Sequence, residues 1–595
     1  MDRTAAWSRR QARVLAILAL GLVVMALVGP LGVTDRYQNF LITTVAIFGI
    51  ITLSISELAG LAGIWSVGHM AFVAIGAYSL AYFSHQGLAL PLIVLFAMAT
   101  AAAVGFLLGL TAGRFEVLYL AILTLALALV ALEVIGKWTS VTGGDLGTDV
   151  KPLTLFGSML RPTAVTEIAI GTGVALFAIV DIAARGRFGR RWLAIKNQRL
   201  AAIAIGYNPT LENAAAFGAS AAVASVAGIL LALQIGYISA ETFNLTNAIN
   251  FIVAAVVGGV GSIAGAVLGT GFIVLVPEVA RKAQDFQVIL FGAVTIAVLL
   301  FLPEGIVPGL IRRAGRLLWG RTQSESDEGG SRVAMAELIE PLLGHETRDQ
   351  DSMRRQLVMK QVSVKFGGLA ALQDVEIDVN PGEIVALIGP NGAGKTTLLN
   401  VLGGFVKPVP GSIATFGGRN LLGMGPQQRP RTGIGRTFQH AELFAELTVL
   451  EAVSLAAHHQ RHHAASAREL ALQVLRALGL GAYGAELPVA LPFGIQKRVD
   501  IARALATTPE LIVMDEPFSG LDLNEQEQLH QLILAFKRAR LSVLLVDHAV
   551  QQVLTLADRV FVLDNGVIIA RGVPEEIRNS KAVREAYFGR LEVSA

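Results

Sequence analysis

The first half of this 595-residue chain is dominated by apolar stretches that are long enough to cross a lipid bilayer. A membrane helix needs roughly 17–25 predominantly apolar residues. The longest stretch, 247–277, carries four glycines between residues 258 and 265, so we interpret it as a hairpin of two shorter spans. The sequence therefore predicts about ten membrane helices, from apolar stretches near residues 14–31, 41–56, 60–83, 89–111, 115–136, 163–184, 211–238, 247–277 and 286–302.

Positive charge is unevenly distributed over the segments that join these spans. If the N-terminus is cytoplasmic, the inner segments carry 15 Lys and Arg residues and the outer segments carry 6. Cytoplasmic segments are enriched in these residues, so we predict that both chain ends lie in the cytoplasm. The basic start followed by residues 14–31 is similar to a secretory signal, but further spans follow it, and we interpret it as a first membrane helix.

Composition argues against several other classes of protein. With 53% hydrophobic and 16% charged residues, the chain is too apolar for an ordinary soluble protein. Its net charge of +3 gives no reason to expect a nucleic-acid partner. Because cysteine is absent, the chain has neither a disulfide nor a thiolate metal site.

Two features of the membrane half are candidates for function. His69 is an ionisable group inside an apolar span, which makes it a functional candidate, although a hydrogen-bonded packing role explains it as well. The basic loop 185–209 has an amphipathic centre that could dock on a soluble partner, and the alternative is a solvated charged loop. The apolar side chains that could share one helical face in this loop are Trp192, Leu193, Ile195 and Leu200.

In the second half, residues Gly389–Thr397, GPNGAGKTT, fit the pattern of a phosphate-binding loop. A short apolar segment precedes the loop and is typical of a buried parallel strand. The glycines allow several backbone N–H groups to point at one anion, and the positive end of the following helix adds to that field. Lys395 would contact the β- and γ-phosphates, and the hydroxyl of Thr396 would bind Mg²⁺. The sequence thus predicts a site for a di- or triphosphate.

Two later strands place further chemistry near that loop. The segment ELIVMDEP at 510–517 is predicted to be an apolar strand that ends in two acids. Asp515 would hold Mg²⁺ through water, and Glu516 would polarise the attacking water. Adjacent carboxylates at the end of a buried strand are costly without a cation or proton, so a purely structural role is disfavoured. His548 follows the next strand and could contact the γ-phosphate. Phe366 could stack on adenine, although an aromatic residue there also suits a protein core.

The order of these segments resembles an ABC-type ATPase. It comprises the phosphate loop, Gln439 in GRTFQH, the segment LPFGIQKR, Asp515-Glu516, SGLD and His548. The resemblance implies that Gln439 takes part in catalysis and Mg²⁺ binding, and that Asp522 lies in the D-loop. It assigns ATP binding to Phe366, Gly389, Asn391, Gly392, Gly394, Lys395, Thr396 and Thr397, catalysis to Glu516, His548 and Gln439, and the metal to Thr396, Gln439 and Asp515.

The ABC signature is altered in this chain. Where the family has Leu-Ser-Gly-Gly-Gln, the chain has Leu-Pro-Phe-Gly-Ile at residues 491–495. Only Leu491 and Gly494 match, and the serine hydroxyl that would contact a γ-phosphate is missing. This change puts the strength of one composite ATP site in doubt.

The first half resembles permease subunits of branched-chain amino acid ABC importers. The similarity covers roughly residues 40–305, including GLAGIWSVGHMAFVAIGAYSLA, TGGDLG and VVGGVGSIAGAVLG. Within the ATPase half, GIGRTFQHAELFAELTVLEAV and PEEIRNSKAVREAYFG are similar to the ATPases of the same importers. The resemblance implies that loop 185–209 contains the coupling helix that rests on the ATPase.

We therefore predict an α-helical membrane permease domain at 1–318, a flexible cytoplasmic linker at 319–354 and an α/β P-loop ATPase domain at 355–595. The resemblance implies ATP-driven uptake of branched-chain amino acids across the cytoplasmic membrane; urea, short amides and other carboxylates are alternative solutes. Implied partners are a second permease, a second ATPase and an external binding protein, or a second copy of the chain in place of the first two. A membrane-anchored regulatory ATPase and an ABC exporter are the rival classes. The ten spans disfavour the exporter.

Overall fold

The computed structural model of this chain describes residues 35–112, 117–151, 154–155, 158–159, 162–281, 286–310, 355–458, 464–548 and 550–588. The predicted first span, 14–31, and the predicted linker, 319–354, lie outside them. The described residues form two compact units: one holds residues up to Lys196 and from Pro209 to 310, and the other holds Asn197–Asn208 together with residues from 355 onward. The predicted domain limits at 318 and 354 stay predictions.

The first unit is built from apolar helices, as the sequence predicts. In the described part of the chain, seven helices are long and apolar enough to cross a membrane by length and composition. The described helices of this unit that are longer than four residues are α1 (Arg36–Ala62), α2 (His69–His85), α3 (Leu90–Ala112), α4 (Val117–Lys137), α5 (Pro162–Ala184), α6 (Arg187–Asn197), α7 (Pro209–Ile235), α8 (Leu245–Gly258), α9 (Ile263–Ala280) and α10 (Gln287–Phe301).

The predicted hairpin within 247–277 is present. Helix α8 ends at Gly258, the next residue Gly259 has a φ of 110°, and α9 begins at Ile263 after the capping residue Ser262. The side chain of Ser262 accepts a hydrogen bond from Gly265 N, which satisfies one of the unpaired N–H groups of the new helix. Positive φ is easily adopted by glycine, so the glycines mark the turn between the two spans.

The predicted limits of the second and third spans are wrong. Instead of stopping near residue 56, α1 continues to Ala62 and ends at Gly63, which has a φ of 70°. Gly60 does not break the helix, because its role is close packing: a Cβ atom there would lie 2.4 Å from Gly261 Cα. The following span begins only at His69.

Small residues bring the central helix α7 into direct contact with its neighbours. A Cβ atom at Gly76 of α2 would lie 1.8 Å from Ser225 O, and one at Gly228 would lie 1.9 Å from Val73 O. A Cβ atom at Gly109 of α3 would lie 2.5 Å from Ala214 Cα. In lipid, helices associate through such close packing because there is no hydrophobic drive between them. The small-residue stretch 214–228 is therefore a packing surface.

The second unit has an α/β architecture with two sheets. Its strands are β1 (Leu357–Phe366), β2 (Leu369–Val379), β3 (Ile384–Ile388), β4 (Ile413–Phe416), β5 (Arg419–Asn420), β6 (Ile434–Arg436), β7 (Leu511–Asp515), β8 (Ser542–Val546), β9 (Arg559–Asp564) and β10 (Val567–Gly572). The larger sheet has the order β6-β7-β8-β3-β9-β10, in which only the last pair is antiparallel. The smaller, antiparallel sheet has the order β2-β1-β4-β5.

The direction of the central strands shows at which edge of the larger sheet a functional site can form. All residues of β3, β7 and β8 are buried, as expected for parallel strands covered on both faces. Because neighbouring parallel strands share a direction, their carboxyl ends meet at one edge of the sheet. Beyond residue 355, the helices of this unit are α11 (Lys395–Gly403), α12 (Val449–Ala457), α13 (Ala464–Ala477), α14 (Phe493–Ala506), α15 (Leu523–Arg538), α16 (Val550–Leu556), α17 (Pro574–Asn579) and α18 (Lys581–Phe588).

Candidate nucleotide-binding site

The loop that follows β3 has the backbone that an anion-binding loop requires. Gly392 and Gly394 have φ values of 83° and 107°, a region that residues with a side chain rarely adopt. At Gly389, a Cβ atom would lie 2.0 Å from Leu563 O, so the loop also packs too tightly against β9 for a larger residue. Helix α11 starts at Lys395, which places its N-terminus and positive dipole at the loop.

Lys395 is buried and held by this loop. Its Nζ donates hydrogen bonds to Gly389 O (2.7 Å) and Pro390 O (2.9 Å). Burial lowers the pKa of Lys395, and the nearby carboxylates of Glu516, Asp515 and Asp547 partly oppose that shift. The ammonium is therefore already placed at the loop and faces a negatively charged sheet edge. Asn391 and Thr396 are exposed on the same loop and the first turn of α11, and Thr397 is half-buried.

The acidic pair predicted after residue 514 lies at the carboxyl end of β7. Asp515 is the last residue of this strand and pairs in register with Val546 of β8, which in turn pairs with Leu387 of β3. Burial raises the pKa of Asp515, and Arg436, whose Nη2 lies 3.8 Å from Asp515 Oδ2, opposes the rise. The structure therefore brings Asp515 to the same edge as the phosphate loop.

The side chain of Glu516 lies next to two other predicted site residues, Gln439 and His548. Gln439 Nε2 donates a hydrogen bond of 2.8 Å to Glu516 Oε2, and His548 Nδ1 lies 3.6 Å from the same oxygen. The backbone φ of Glu516 is 45°, which is unusual for a residue with a side chain. Glu516 N donates to Val546 O (2.7 Å), and Lys497 Nζ donates to Glu516 O (2.7 Å). These two contacts hold the strained backbone in place.

The donors predicted for Mg²⁺ suit that ion. Thr396 offers a hydroxyl, Asp515 a carboxylate and Gln439 a side-chain carbonyl, and Mg²⁺ prefers oxygen ligands. Among the described residues there is no group of three or more His, Cys, Asp or Glu side chains that could hold a metal by itself. A site with so few protein carboxylates fits an ion that also binds nucleotide phosphates.

The signature residues are organised around α14 and α15. A Cβ atom at Gly494 would lie 1.9 Å from Glu525 Oε1, so a larger residue there would require the Glu525 side chain to move. Asp522 caps α15 by accepting a hydrogen bond from Glu525 N (2.8 Å). Leu491 is buried, while the ring of Phe493 is partly exposed and lies 5.5 Å from Lys497 Nζ. Two of the predicted positions, Gly494 and Asp522, thus share Glu525.

Phe366 stands apart from this hydrogen-bonded group. It ends β1, and its side chain is 52% exposed, which excludes the alternative that it belongs to the core. Its exposure is compatible with stacking on a base.

His69 has a packing partner in the membrane unit. His69 Nε2 lies 2.8 Å from Ser220 Oγ, and Ser220 Oγ donates to Ser54 O at 2.7 Å. Because the serine hydrogen is used on Ser54 O, His69 Nε2 is the donor of the first bond. The histidine thereby links α2 to α7 and α1, which favours the packing alternative.

The basic loop is divided between the two units. Helix α6 ends at Asn197 and a second helix runs from Arg199 to Ala204, so the predicted common face of Trp192, Leu193, Ile195 and Leu200 does not exist. Trp192 packs on the core of the membrane unit. Residues Asn197–Asn208 belong to the ATPase-like unit, where Tyr207 Oη donates to Leu455 O at 3.1 Å.

Three functional candidates escaped the sequence analysis. Arg436 faces Asp515, Lys497 holds the backbone of Glu516, and Arg503 donates to Glu442 O in the segment that carries Gln439. Lys497 and Arg503 lie on one helix among buried apolar residues. Charged residues within a helix that otherwise faces the core are the signal that pointed to them.

The second unit has a phosphate-binding loop and an acidic sheet edge next to His548, and the first unit consists of apolar helices. Together these features define a membrane P-loop ATPase of the ABC class. Family comparison specifies the class further. Residues 37–302 match the branched-chain amino acid transport system permease component. Residues 372–519 match the ABC transporter ATPase, and residues 567–592 match the branched-chain amino acid ATP-binding cassette transporter.

Individual relatives agree with this assignment. The LivG high-affinity branched-chain amino acid transport ATP-binding protein of Salmonella typhimurium is 39% identical over 249 residues, which are 39% of this chain and 97% of that protein. LivG of Escherichia coli K12 is 38% identical, and BraF of Pseudomonas aeruginosa is 33% identical, over the same shares. The chain belongs to the branched-chain amino acid ABC transporter family, and it joins the permease and the ATP-hydrolysing component in one polypeptide.

Proposed function

We propose that this chain couples ATP hydrolysis to the uptake of branched-chain amino acids across the cytoplasmic membrane. The observation that carries the proposal is the presence of a permease match at 37–302 and an ATPase match at 372–519 in one chain. Its relatives named LivG and BraF are described as branched-chain amino acid transport proteins. Transport requires other subunits of the same system, and the chain is a membrane protein.

ATP binds at the loop after β3. Backbone N–H groups of the loop and of the first turn of α11 surround the phosphates, and Lys395 moves its hydrogen bonds from Gly389 O and Pro390 O to the β- and γ-phosphates. Phe366, exposed at the end of β1, stacks on adenine. The residues that we assign to ATP are Phe366, Gly389, Asn391, Gly392, Gly394, Lys395, Thr396 and Thr397.

Hydrolysis takes place at the edge where β7 and β8 end. Glu516 orients the attacking water and accepts its proton, as a general base. Gln439 and His548 contact the carboxylate of Glu516 in the described structure, so they fix its direction and that of the water. Lys497 assists as a positioning residue, because it holds the backbone carbonyl of Glu516.

Thr396, Gln439 and Asp515 would hold Mg²⁺ together with phosphate oxygens. The ion supplies charge neutralisation at the β- and γ-phosphates. Arg436 lies beside Asp515 and limits the cost of burying this carboxylate before nucleotide arrives.

A second ATPase domain completes the catalytic unit. Leu491, Gly494 and Asp522 of this chain face the nucleotide of that partner, in keeping with their place in the signature and D-loop. The full assembly contains a second permease, a second ATPase and an external solute-binding protein. Both chain ends and the ATPase lie on the cytoplasmic side, in agreement with the 15 to 6 distribution of positive residues.

Reconstituted transport tests this proposal. The chain, its partner subunits and the binding protein are placed in liposomes, and ATP-dependent entry of labelled leucine, isoleucine and valine is compared with that of urea and acetamide. We expect entry of the three amino acids only, and no entry with Glu516→Gln. Preferred entry of urea or acetamide, or no ATP-dependent entry of any amino acid, would contradict the proposed substrate class.

A further inference from the structure

Arg436 is an arginine whose side chain contacts three elements of the ATPase-like unit. It ends strand β6, and its side chain is only 10% exposed. Nη1 donates to Leu399 O (3.2 Å) and Nη2 donates to Asn400 Oδ1 (3.1 Å), and both of these residues belong to α11. Nη2 also lies 3.8 Å from Asp515 Oδ2 at the end of β7. Arg436 therefore connects α11 with the carboxyl end of β7.

The third element is the segment that carries Gln439. The guanidinium carbon of Arg436 lies 5.3 Å from the centre of the Phe438 ring, and that of Arg503 lies 5.4 Å from the same ring. A guanidinium group is attracted to an aromatic ring at this distance, and more strongly where both are shielded from water. The backbone is fixed as well, because Phe438 N donates to Asp500 Oδ2 (2.9 Å). Arg436 thus contacts the residue that directly precedes Gln439.

Each of the three elements carries a residue that we assign to ATP chemistry. Helix α11 begins at Lys395, about one turn before the residues that Arg436 contacts. Strand β7 ends at Asp515, and Phe438 is followed by Gln439. The reaction requires these groups to meet at the same phosphate. A side chain that contacts all three elements is placed to set their relative positions.

A second buried arginine, Arg429, lies at the same end of α11. It donates a hydrogen bond to Leu421 O, and its Nη2 would lie 3.1 Å from a Cβ atom at Gly404, the residue after the last turn of the helix. A cation is favourable at the C-terminus of a helix. Among the described residues, no hydrogen bond, ion pair or ring contact joins Arg429 to Asp515 or Phe438. The two arginines share a location but differ in their contacts.

We propose that Arg436 is a positioning residue for ATP hydrolysis, which fixes Asp515 and the Gln439 segment relative to the helix that follows the phosphate loop. The inference rests on the roles proposed above for Asp515 and Gln439. Positive charge alone is not sufficient for this task. A guanidinium is planar and has several donors in a fixed geometry, so it can bind α11 and lie over a ring at once, whereas a lysine ammonium has no flat face and no forked donor pair.

The substitution Arg436→Lys in the full chain, assembled with its partner subunits, tests the proposal. We expect kcat for ATP hydrolysis to fall roughly tenfold or more, because hydrogen bonds of a charged group are lost. The KM for ATP, and ATP affinity measured without Mg²⁺, should stay within about twofold, because Lys395 and the phosphate loop are retained. Arg429→Lys is the matched control. It should change Tm but leave kcat at the parent value.

A double-mutant cycle with Phe438 tests the path of the effect. Phe438→Leu removes the ring but keeps the backbone N–H that binds Asp500. It should lower kcat with a nearly unchanged KM. The double variant Arg436→Lys with Phe438→Leu should lower kcat little further than either single variant, because both remove the same contact. If Arg436→Lys does not fold, the kcat and KM of Phe438→Leu still test the contact.

Three results would overturn the proposal: parent kcat in Arg436→Lys, an equal loss of kcat in Arg429→Lys, or parent kcat in Phe438→Leu. The second result would show that buried arginines at this end of α11 serve the fold alone. Independent, additive losses in the cycle would show that Arg436 does not act through Phe438. The proposed function fails on a different observation, namely parent hydrolysis by Gln439→Ala, whatever the behaviour of the arginine variants.

Discussion

Glu516 combines an unfavourable backbone conformation with a charged side chain at the sheet edge. Its φ of 45° costs roughly 1–3 kcal/mol for a residue with a side chain. Hydrogen bonds from its N–H to Val546 O and from Lys497 to its carbonyl hold this conformation. The result is that the carboxylate reaches Gln439 and lies beside His548. Such strain is typical of functional sites, where surrounding contacts maintain it.

Replacing Glu516 with Gln should leave ATP bound but slow hydrolysis roughly 10²- to 10⁴-fold, because general-base assistance is lost. Replacing Lys395 with Ala should instead weaken nucleotide binding, because the ammonium that would contact the phosphates is removed. Nucleotide affinity and steady-state ATP hydrolysis of both variants are measured side by side. Hydrolysis at the parent rate by Glu516→Gln would show that another group is the base.

At the scale of elements, helix α14 ties the signature region to the segment that carries Gln439. Asp500 and Arg503 are buried on this helix and form an ion pair. Asp500 Oδ2 accepts a hydrogen bond of 2.9 Å from Phe438 N, and Arg503 donates to Glu442 O. Gln439 lies between these two anchor points. Movement of α14 should therefore move Gln439, and with it the contact to Glu516.

Variants of this buried pair should separate stability from activity. Asp500→Ala should destabilise the chain by about 3–5 kcal/mol, because Arg503 is left buried without its partner. The double variant Asp500→Leu with Arg503→Met should regain much of that stability, since no buried charge remains. Its kcat should stay low with a nearly unchanged KM for ATP, because Gln439 loses both anchors.

The measurements are chemical denaturation and ATP hydrolysis, with Asp500→Glu as a matched control that keeps the charge. In a Gln439→Ala background the double variant should lower kcat little further, because Gln439 is already absent. If the double variant recovers full kcat together with stability, the pair serves the fold alone and does not position Gln439.

At the scale of the whole molecule, the orientation in the membrane can be read with two cysteines. The chain has no native cysteine, and Arg187 and Leu146 are both exposed in the membrane unit. The predicted topology puts Arg187 in the cytoplasm and Leu146 outside. A cysteine at 187 should react with an impermeant maleimide only in inside-out vesicles, and one at 146 only in intact cells. The reverse pattern would overturn the topology.

The two ATP sites of the assembly should be unequal when the partner carries a complete signature. This chain would contribute Lys395, Asp515, Glu516 and His548 to one site and Gly494 to the other. Pro492 and Phe493 provide no hydroxyl at the second site, and a lost hydrogen bond to a charged group is worth about 1.5–3 kcal/mol. The site built on Lys395 should then carry most of the turnover.

Mutating one catalytic glutamate at a time in the assembled complex tests that inequality through solute-stimulated ATP hydrolysis. Glu516→Gln should remove most of the activity, and the equivalent change in the partner ATPase should remove less. If the complex with Glu516→Gln alone keeps nearly full activity, the predicted inequality of the two ATP sites is wrong.

Local patterns in the sequence were sufficient to predict most of the elements and to propose residues for ATP chemistry. Loop φ angles, strand patterning and turn positions are determined mainly by a few neighbouring residues. For this reason the sequence predicted the loop Gly389–Thr397, the strand that ends in Asp515 and the glycine turn within 247–277. The ends of helices were less predictable. Gly60 continues α1 because Gly261, about 200 residues later, packs against it.

Only the tertiary structure decided which distant groups meet. The contact of Gln439 with Glu516 joins residues 77 apart, and the bond of His69 to Ser220 joins residues 151 apart. The burial of Arg429 has no local signature, and the hydrogen bonds that Asp500 and Arg503 make to Phe438 N and Glu442 O could not be read from their own helix. The free energy of a charge depends on the surrounding dielectric and on partners that folding brings near. The sequence therefore determined the ATPase chemistry and the apolar spans, while packing determined which buried charges have partners and which do not.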